Sequence, residues 1–169
     1  MRSGLTPLSI TEETKAAKPA GAQPDSGTYQ SEVQTCKQLS VAHDDVGMSA
    51  HRFPSPDDVN ELLKDFDHMP KPILVHCKAG SDRTGLVSAL FLALQPGASL
   101  DQAESSQLTW HYGHFGMFGT QAMDDFFNLY RKNSRGQELR TWLQKSYPAA
   151  YQQLQTQHSW EVSPGPGNE

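Results

Sequence analysis

The chain has 169 residues, enough for one domain with a sizeable core, and 36% of them are hydrophobic. Its net charge is -5, from 14 Lys and Arg against 19 Asp and Glu, which leaves no basic stripe for a nucleic-acid backbone or a broad anionic membrane patch. No apolar run reaches the ~20 residues of a spanning helix, and two cysteines, Cys36 and Cys77, are too few for a disulfide framework.

In chain order, residues 1–27 are rich in Thr, Ala, Pro, Lys and Gly without periodic hydrophobicity, and read as a loose N-terminal tail. The early residues hold no apolar core of a secretory leader, so a cytoplasmic location is expected. From Tyr29 to Leu39 apolar groups (Tyr29, Val33, Cys36, Leu39) recur at helical spacing. A short strand fits between Val41 and Met48. Ser55-Pro56-Asp57-Asp58 is a helix opening, with a serine cap, proline at the first helical position and acids in the first turn. That helix carries Val59, Leu62, Leu63 and Phe66 on one face and stops before Met69-Pro70-Lys71-Pro72. Ile73-Leu74-Val75, wholly apolar, suits a central buried strand.

After a glycine-containing loop, Thr84 to Leu94 reads as a buried helix, and Ser99 opens another through a capping-box pattern. Thr120 opens a further helix through Met123, Phe126, Phe127 and Tyr130, and Gln137 to Gln155 is helical on both sides of Pro148. A domain over 28–156 and a polar tail over 157–169 complete the organisation. Helix, strand, loop and then mostly helices give an α/β domain with a small sheet.

The chemistry concentrates in His76-Cys77-Lys78-Ala79-Gly80-Ser81-Asp82-Arg83-Thr84-Gly85. A free thiol titrates near pH ~8.5 and is mostly protonated at neutrality. At a helix N-terminus, under inward-facing backbone N–H groups and beside a guanidinium, it becomes a thiolate. Five residues between Cys77 and Arg83 suffice for a loop whose amides face one centre. Gly80 and Gly85 permit left-handed or crowded backbone there. Arg83 clamps two phosphoryl oxygens with its planar fork. Thr84 is placed to hydrogen-bond the sulfur, and His76 to orient the loop through its ring N–H. Lys78, Ala79, Gly80, Ser81 and Gly85 form the rest of the phosphate cradle.

These ten residues resemble the phosphate-binding loop of the cysteine-dependent protein tyrosine and dual-specificity phosphatase superfamily. Gln107-Leu108-Thr109-Trp110-His111-Tyr112-Gly113-His114-Phe115 is similar to its bacterial members. The resemblance implies a tyrosine-phosphatase-like fold, a small central mostly parallel sheet flanked by helices. It also implies a cysteinyl-phosphate intermediate and no metal or other cofactor. Relatives begin with one or two strands before the helix matching Tyr29 to Leu39. Here Ile10 to Pro19 makes a poor strand, so the fold is expected to lack the usual N-terminal strand and to look truncated or scrambled at its start.

The leaving group needs a proton donor. Asp82 is the first candidate, because myotubularin-like lipid phosphatases and some bacterial tyrosine phosphatases share an Asp-Arg pair at this place. Asp45, upstream where most relatives keep their acid loop, is the second. The spacing His111-x-x-His114 lacks an evident third ligand for a metal. Cys36 reads as a packed helix cysteine, with a protective disulfide to Cys77 as the alternative. Asp124-Asp125 reads as a solvated helix face, and His114 as packing against the wall of the site. The expected function is hydrolysis of phosphate monoesters on a phosphoprotein or small phosphorylated substrate. Phosphotyrosine is the default, with phosphoserine or phosphothreonine beside it. Lys78 keeps phosphoinositides or inositol phosphates as the runner-up, and a phosphate-binding module without turnover is a further class. Sulfur transfer of the rhodanese kind is disfavoured by the Cys77-to-Arg83 spacing.

Overall fold

The computed structural model describes residues 6–11, 27–116 and 119–157. The helical periodicity from Tyr29 belongs to α1, Gly27–Leu39. At Ser55 the cap forms in both directions: Ser55 Oγ accepts from the Asp58 N–H at 3.1 Å and Asp58 Oδ2 accepts from the Ser55 N–H at 2.8 Å. With two first-turn donors satisfied and Pro56 at the first position, α2 starts there and runs Pro56–His68. Four further helices are α3 (Asp82–Ala93), α4 (Leu100–Gln107), α5 (Ala122–Asn133) and α6 (Leu139–Lys145). The last, α7, spans Tyr147–Gln157. The break between α6 and α7 falls at Ser146, so Pro148 sits in the first turn of α7, where its missing N–H costs no helical bond. Among the described residues no helix is long and apolar enough to cross a membrane.

The expected loss of the N-terminal strand is corrected by β1, Thr6–Thr11, which pairs in parallel with both β2 (Asp44–Gly47) and β3 (Ile73–Cys77) in the order β2-β1-β3. Thr6-Pro7-Leu8-Ser9-Ile10-Thr11 does alternate around Leu8 and Ile10. The alternation is too short to stand out, and the strand is fixed by backbone pairing on two sides. The rest of the two expected tails, 1–5, 12–26 and 158–169, lies outside the described residues. Because β1 takes the centre, Ile73-Leu74-Val75 is not a central strand. It sits at an edge of the described sheet, and Leu74 is 47% exposed.

Register sorts the two faces of the sheet. Ile10 pairs with both Val46 and Cys77, whereas Ser9 pairs with both Asp45 and His76. Successive strand residues point to opposite faces. The row of Val46 and Cys77 therefore faces the main core, where Val46 is fully buried. The row of Asp45 and His76 faces α1.

The main core joins α2, α3, α5, α6 and α7 through Leu62, Leu86, Phe126, Trp142 and Tyr147, all with 1% exposure or less. Phe126, Trp142 and Tyr147 meet edge-on or tilted, with ring centroids 5.2–6.4 Å apart. The Tyr147 hydroxyl donates to the Pro54 carbonyl, which ties α7 to the entry of α2. Gly85 sits where α3 meets α4: a Cβ there would lie 2.8 Å from Leu108 Cδ2 and 3.1 Å from the Gln107 carbonyl oxygen. Close helix packing, more than loop geometry, is what requires this glycine.

Asp65 of α2 is 4% exposed and its Oδ2 has no hydrogen-bond partner. Burial, and then the neighbouring carboxylates of Asp44 and Glu61, push its pKa up to about 7. The fold thus favours the neutral acid. The sign follows: this contribution is present below the ordinary carboxylate pKa of ~3.9 and is lost as pH rises through about 7. Asp65→Asn is expected to raise the melting temperature at pH ~8 and to leave it nearly unchanged at pH ~4. Equal shifts at both pH values would refute the assignment.

Candidate active site

Cys77 is the last residue of β3, and the chain turns from it through residues 78–81 into α3. Gly80, at φ +74°, takes the left-handed conformation that lets the turn close. The helix N-terminus places positive dipole potential under the sulfur. Burial by itself would push the Cys77 thiol up. The Thr84 hydroxyl and the backbone N–H groups of Thr84, Gly80 and Ala79 outweigh it, and the thiol titrates below its ordinary value. Thr84 Oγ1 is buried and makes no hydrogen bond of standard geometry. Its hydroxyl acts on the sulfur alongside the backbone amides of Thr84, Gly80 and Ala79, and all four lower the thiol.

Arg83 follows in the first turn of α3 and is 4% exposed. One of its terminal nitrogens donates to the Met48 carbonyl at 3.4 Å, which holds the guanidinium between α3 and the end of β2. Lys78, Ala79 and Gly80 are exposed on the outer rim. Ser81 is buried, and its hydroxyl donates to Asp82 Oδ2 at 3.3 Å.

His76 contacts α1 and not the loop: its Nε2 lies 2.7 Å from Glu32 Oε1. Glu32 also reaches His43 Nε2 at 3.3 Å. His76 thus anchors the base of the site to α1. Asp45 is held in the same network. Tyr29 donates to its Oδ2 at 2.5 Å, and the Tyr29 pKa is pushed up to about 12, first by that bond. The structure does not bring Asp45 together with Cys77, since the two occupy opposite faces of the sheet.

Asp82 opens α3, adjacent to Arg83, and its Oδ1 lies 2.7 Å from His114 Nδ1. His114 Nε2 in turn lies 3.0 Å from Asp124 Oδ2. Neither His114 nor Asp124 was marked as functional by the sequence. They stand 32 and 42 positions after Asp82 and carry no spacing signal. The pair His111-x-x-His114 does not converge: His111 is exposed and its ring lies tilted against Trp110 with centroids 3.8 Å apart, while His114 is buried. Among the described residues no cluster of His, Cys, Asp and Glu is arranged to hold a metal ion.

Cys36 and Cys77 are both free thiols. Burial first, and then Glu32, push the Cys36 thiol up, opposite to Cys77. At pH ~7 iodoacetamide is therefore expected to alkylate Cys77 well before Cys36, since the thiolate is the reactive form. Thr84→Val is expected to move the pH midpoint of Cys77 alkylation upward. Equal reactivity of the two thiols in the folded protein would overturn this assignment.

Comparison with protein families matches residues 9–102 to the tyrosine phosphatase family, a span covering more than half of the chain and the whole Cys77–Arg83 loop. The chain belongs to the tyrosine phosphatase family. Membership supports a phosphatase hydrolase acting on phosphorylated substrates. A comparison with curated proteins found no match. Within this phosphatase the family match begins inside β1 and ends in α4, so His114 and Asp124 lie beyond it.

Proposed function

We propose that this protein hydrolyses phosphate monoesters through a cysteinyl-phosphate intermediate, with phosphotyrosine as its preferred substrate class. The observation that carries the reading is a cysteine at the end of β3 whose thiol is lowered by loop amides, followed across the loop by a buried arginine in the first turn of α3. The Cys77 thiolate attacks phosphorus as the ester P–O bond breaks. Arg83 and the amides of the loop hold the equatorial oxygens as negative charge shifts across them.

Asp82 gives its proton to the departing oxygen. The Asp82 carboxylate then takes a proton from water as the water oxygen bonds phosphorus and the P–S bond breaks. Phosphate leaves and the Cys77 thiolate is restored. Asp82 is preferred to Asp45 because Asp82 belongs to the loop, whereas Asp45 faces α1 and is engaged by Tyr29.

The aryl preference rests on the 110–115 segment. A Cβ on Gly113 would lie 3.6 Å from Ser81 Cβ, so this segment abuts the loop. It presents Trp110, Tyr112 and Phe115 at 68%, 58% and 63% exposure. Such a rim offers apolar and stacking surface to a phenyl ester. An inositol phosphate would have Lys78 as the one basic side chain within the loop besides Arg83.

The test is phosphate release from a phosphotyrosine peptide, a phosphoserine peptide and an inositol polyphosphate, in the presence of a metal chelator. Highest kcat/KM on the phosphotyrosine peptide is the expected result. A higher value on the inositol polyphosphate would transfer the reading to that substrate class. No turnover of any of the three by folded protein would leave a phosphate-binding module.

A further inference from the structure

Next to Asp82, in the 110–115 segment, a buried histidine bridges two carboxylates. His114 Nδ1 is 2.7 Å from Asp82 Oδ1 and His114 Nε2 is 3.0 Å from Asp124 Oδ2, with the ring side chain 3% exposed. A neutral imidazole has one N–H, and two carboxylate acceptors are served together only by the imidazolium. Burial works against that charge, but the hydrogen bonds and fields of Asp82 and Asp124 prevail, and the His114 pKa lies above its ordinary value. Asp82 from α3 and Asp124 from α5 are the ionisable groups acting on the ring from the packed elements. The segment is built to admit the contact. Gly116 has φ +58°, and a Cβ there would lie 2.9 Å from Asp124 Oδ2, in the space the carboxylate uses.

We propose that His114 and Asp124 are positioning residues for Asp82: the imidazolium, held in place by Asp124, orients the Asp82 carboxyl and stabilises the carboxylate it becomes after protonating the leaving group. The proposal rests on the reading of Asp82 as the proton donor. In the first step the Asp82 O–H bond breaks and the proton goes to the leaving oxygen. The new carboxylate is met by the N–H already at Oδ1. In the second step the same carboxylate takes a proton from water. His114 touches neither phosphorus nor the leaving group and acts through Asp82 alone.

The sign of its effect is fixed by Coulomb interaction. The His114 cation, 2.7 Å from Asp82 Oδ1, stabilises the carboxylate that forms there against the opposing field of a phosphate dianion. Removing the cation withdraws that stabilisation, and the loss falls on the ester whose leaving group most needs the proton.

The experiment measures kcat between pH ~5 and ~9 on p-nitrophenyl phosphate, whose leaving group needs little protonation, and on phenyl phosphate, which needs it, for wild type, Asp82→Asn, His114→Gln and Asp124→Asn. General acid catalysis contributes ~10²-fold or more. Asp82→Asn is expected to lower kcat on phenyl phosphate by about that factor relative to p-nitrophenyl phosphate. His114→Gln is expected to show a smaller selective loss in the same direction, confined to the ester that needs protonation. Asp124→Asn, at a side chain 36% exposed, gives a weaker form of the same selective loss and guards against a misfolded His114 variant.

If Asp82→Asn is selective but neither His114→Gln nor Asp124→Asn lowers kcat selectively on phenyl phosphate, the relay is overturned and Asp82 keeps its role. Equal loss on both esters in Asp82→Asn would overturn the donor assignment and the relay together.

Discussion

Cys77→Ser is expected to abolish phosphatase turnover, with a loss on the order of 10⁴-fold or more, as removal of a covalent nucleophile produces. The surrounding site is built to favour negative charge on sulfur: loop amides from Ala79, Gly80 and Thr84 converge on it at the start of α3. A serine hydroxyl is far harder to ionise and leaves phosphorus poorly in the second step. Because the substitution is nearly isosteric, the phosphate cradle survives. The variant is therefore expected to bind a phosphotyrosine peptide while failing to hydrolyse it. The check combines phosphate release with peptide binding by calorimetry. Turnover within tenfold of wild type would place the chemistry elsewhere.

The second large effect is expected at Arg83. Arg83→Lys keeps a cation but loses the planar fork that meets two phosphoryl oxygens at once. Removing one preorganised donor from a site of developing charge costs about 10²–10³ in kcat, and a fall of that size in kcat/KM is expected. The side chain is 4% exposed and fixed at the Met48 carbonyl, so the shorter, flexible ammonium cannot recover the geometry from solvent. Binding of tungstate, a phosphate mimic, is expected to weaken in parallel. A loss under tenfold in both measurements would mean that the loop amides alone hold the oxygens.

Each element from α1 onward had its own local signal. Ser55 with Asp58 marks the α2 start because a cap is a contact between residues three apart. Phe126 and Phe127 mark α5 because a helix repeats its inner face every few residues. The β1 strand at Thr6–Thr11 had almost no such signal, since its identity comes from partners at Asp44–Gly47 and Ile73–Cys77. Its presence also moved Leu74 from an expected centre to an exposed edge.

The same division runs through the site. Cys77, Gly80, Arg83 and Thr84 lie on one short stretch of chain, where strand, loop and helix geometry follow from neighbouring residues, so composition and spacing by themselves were enough to propose the phosphate loop. Tertiary structure alone places the two candidate acids in different surroundings. One residue of strand register turns Asp45 toward α1 and Tyr29, whereas Asp82 stays in the loop. It alone also joined Asp82 to His114 and Asp124, read as a packing residue and a solvated face. Contacts across 32 and 10 positions leave no periodic trace in a single sequence, because they depend on where α3 and α5 come to rest against each other.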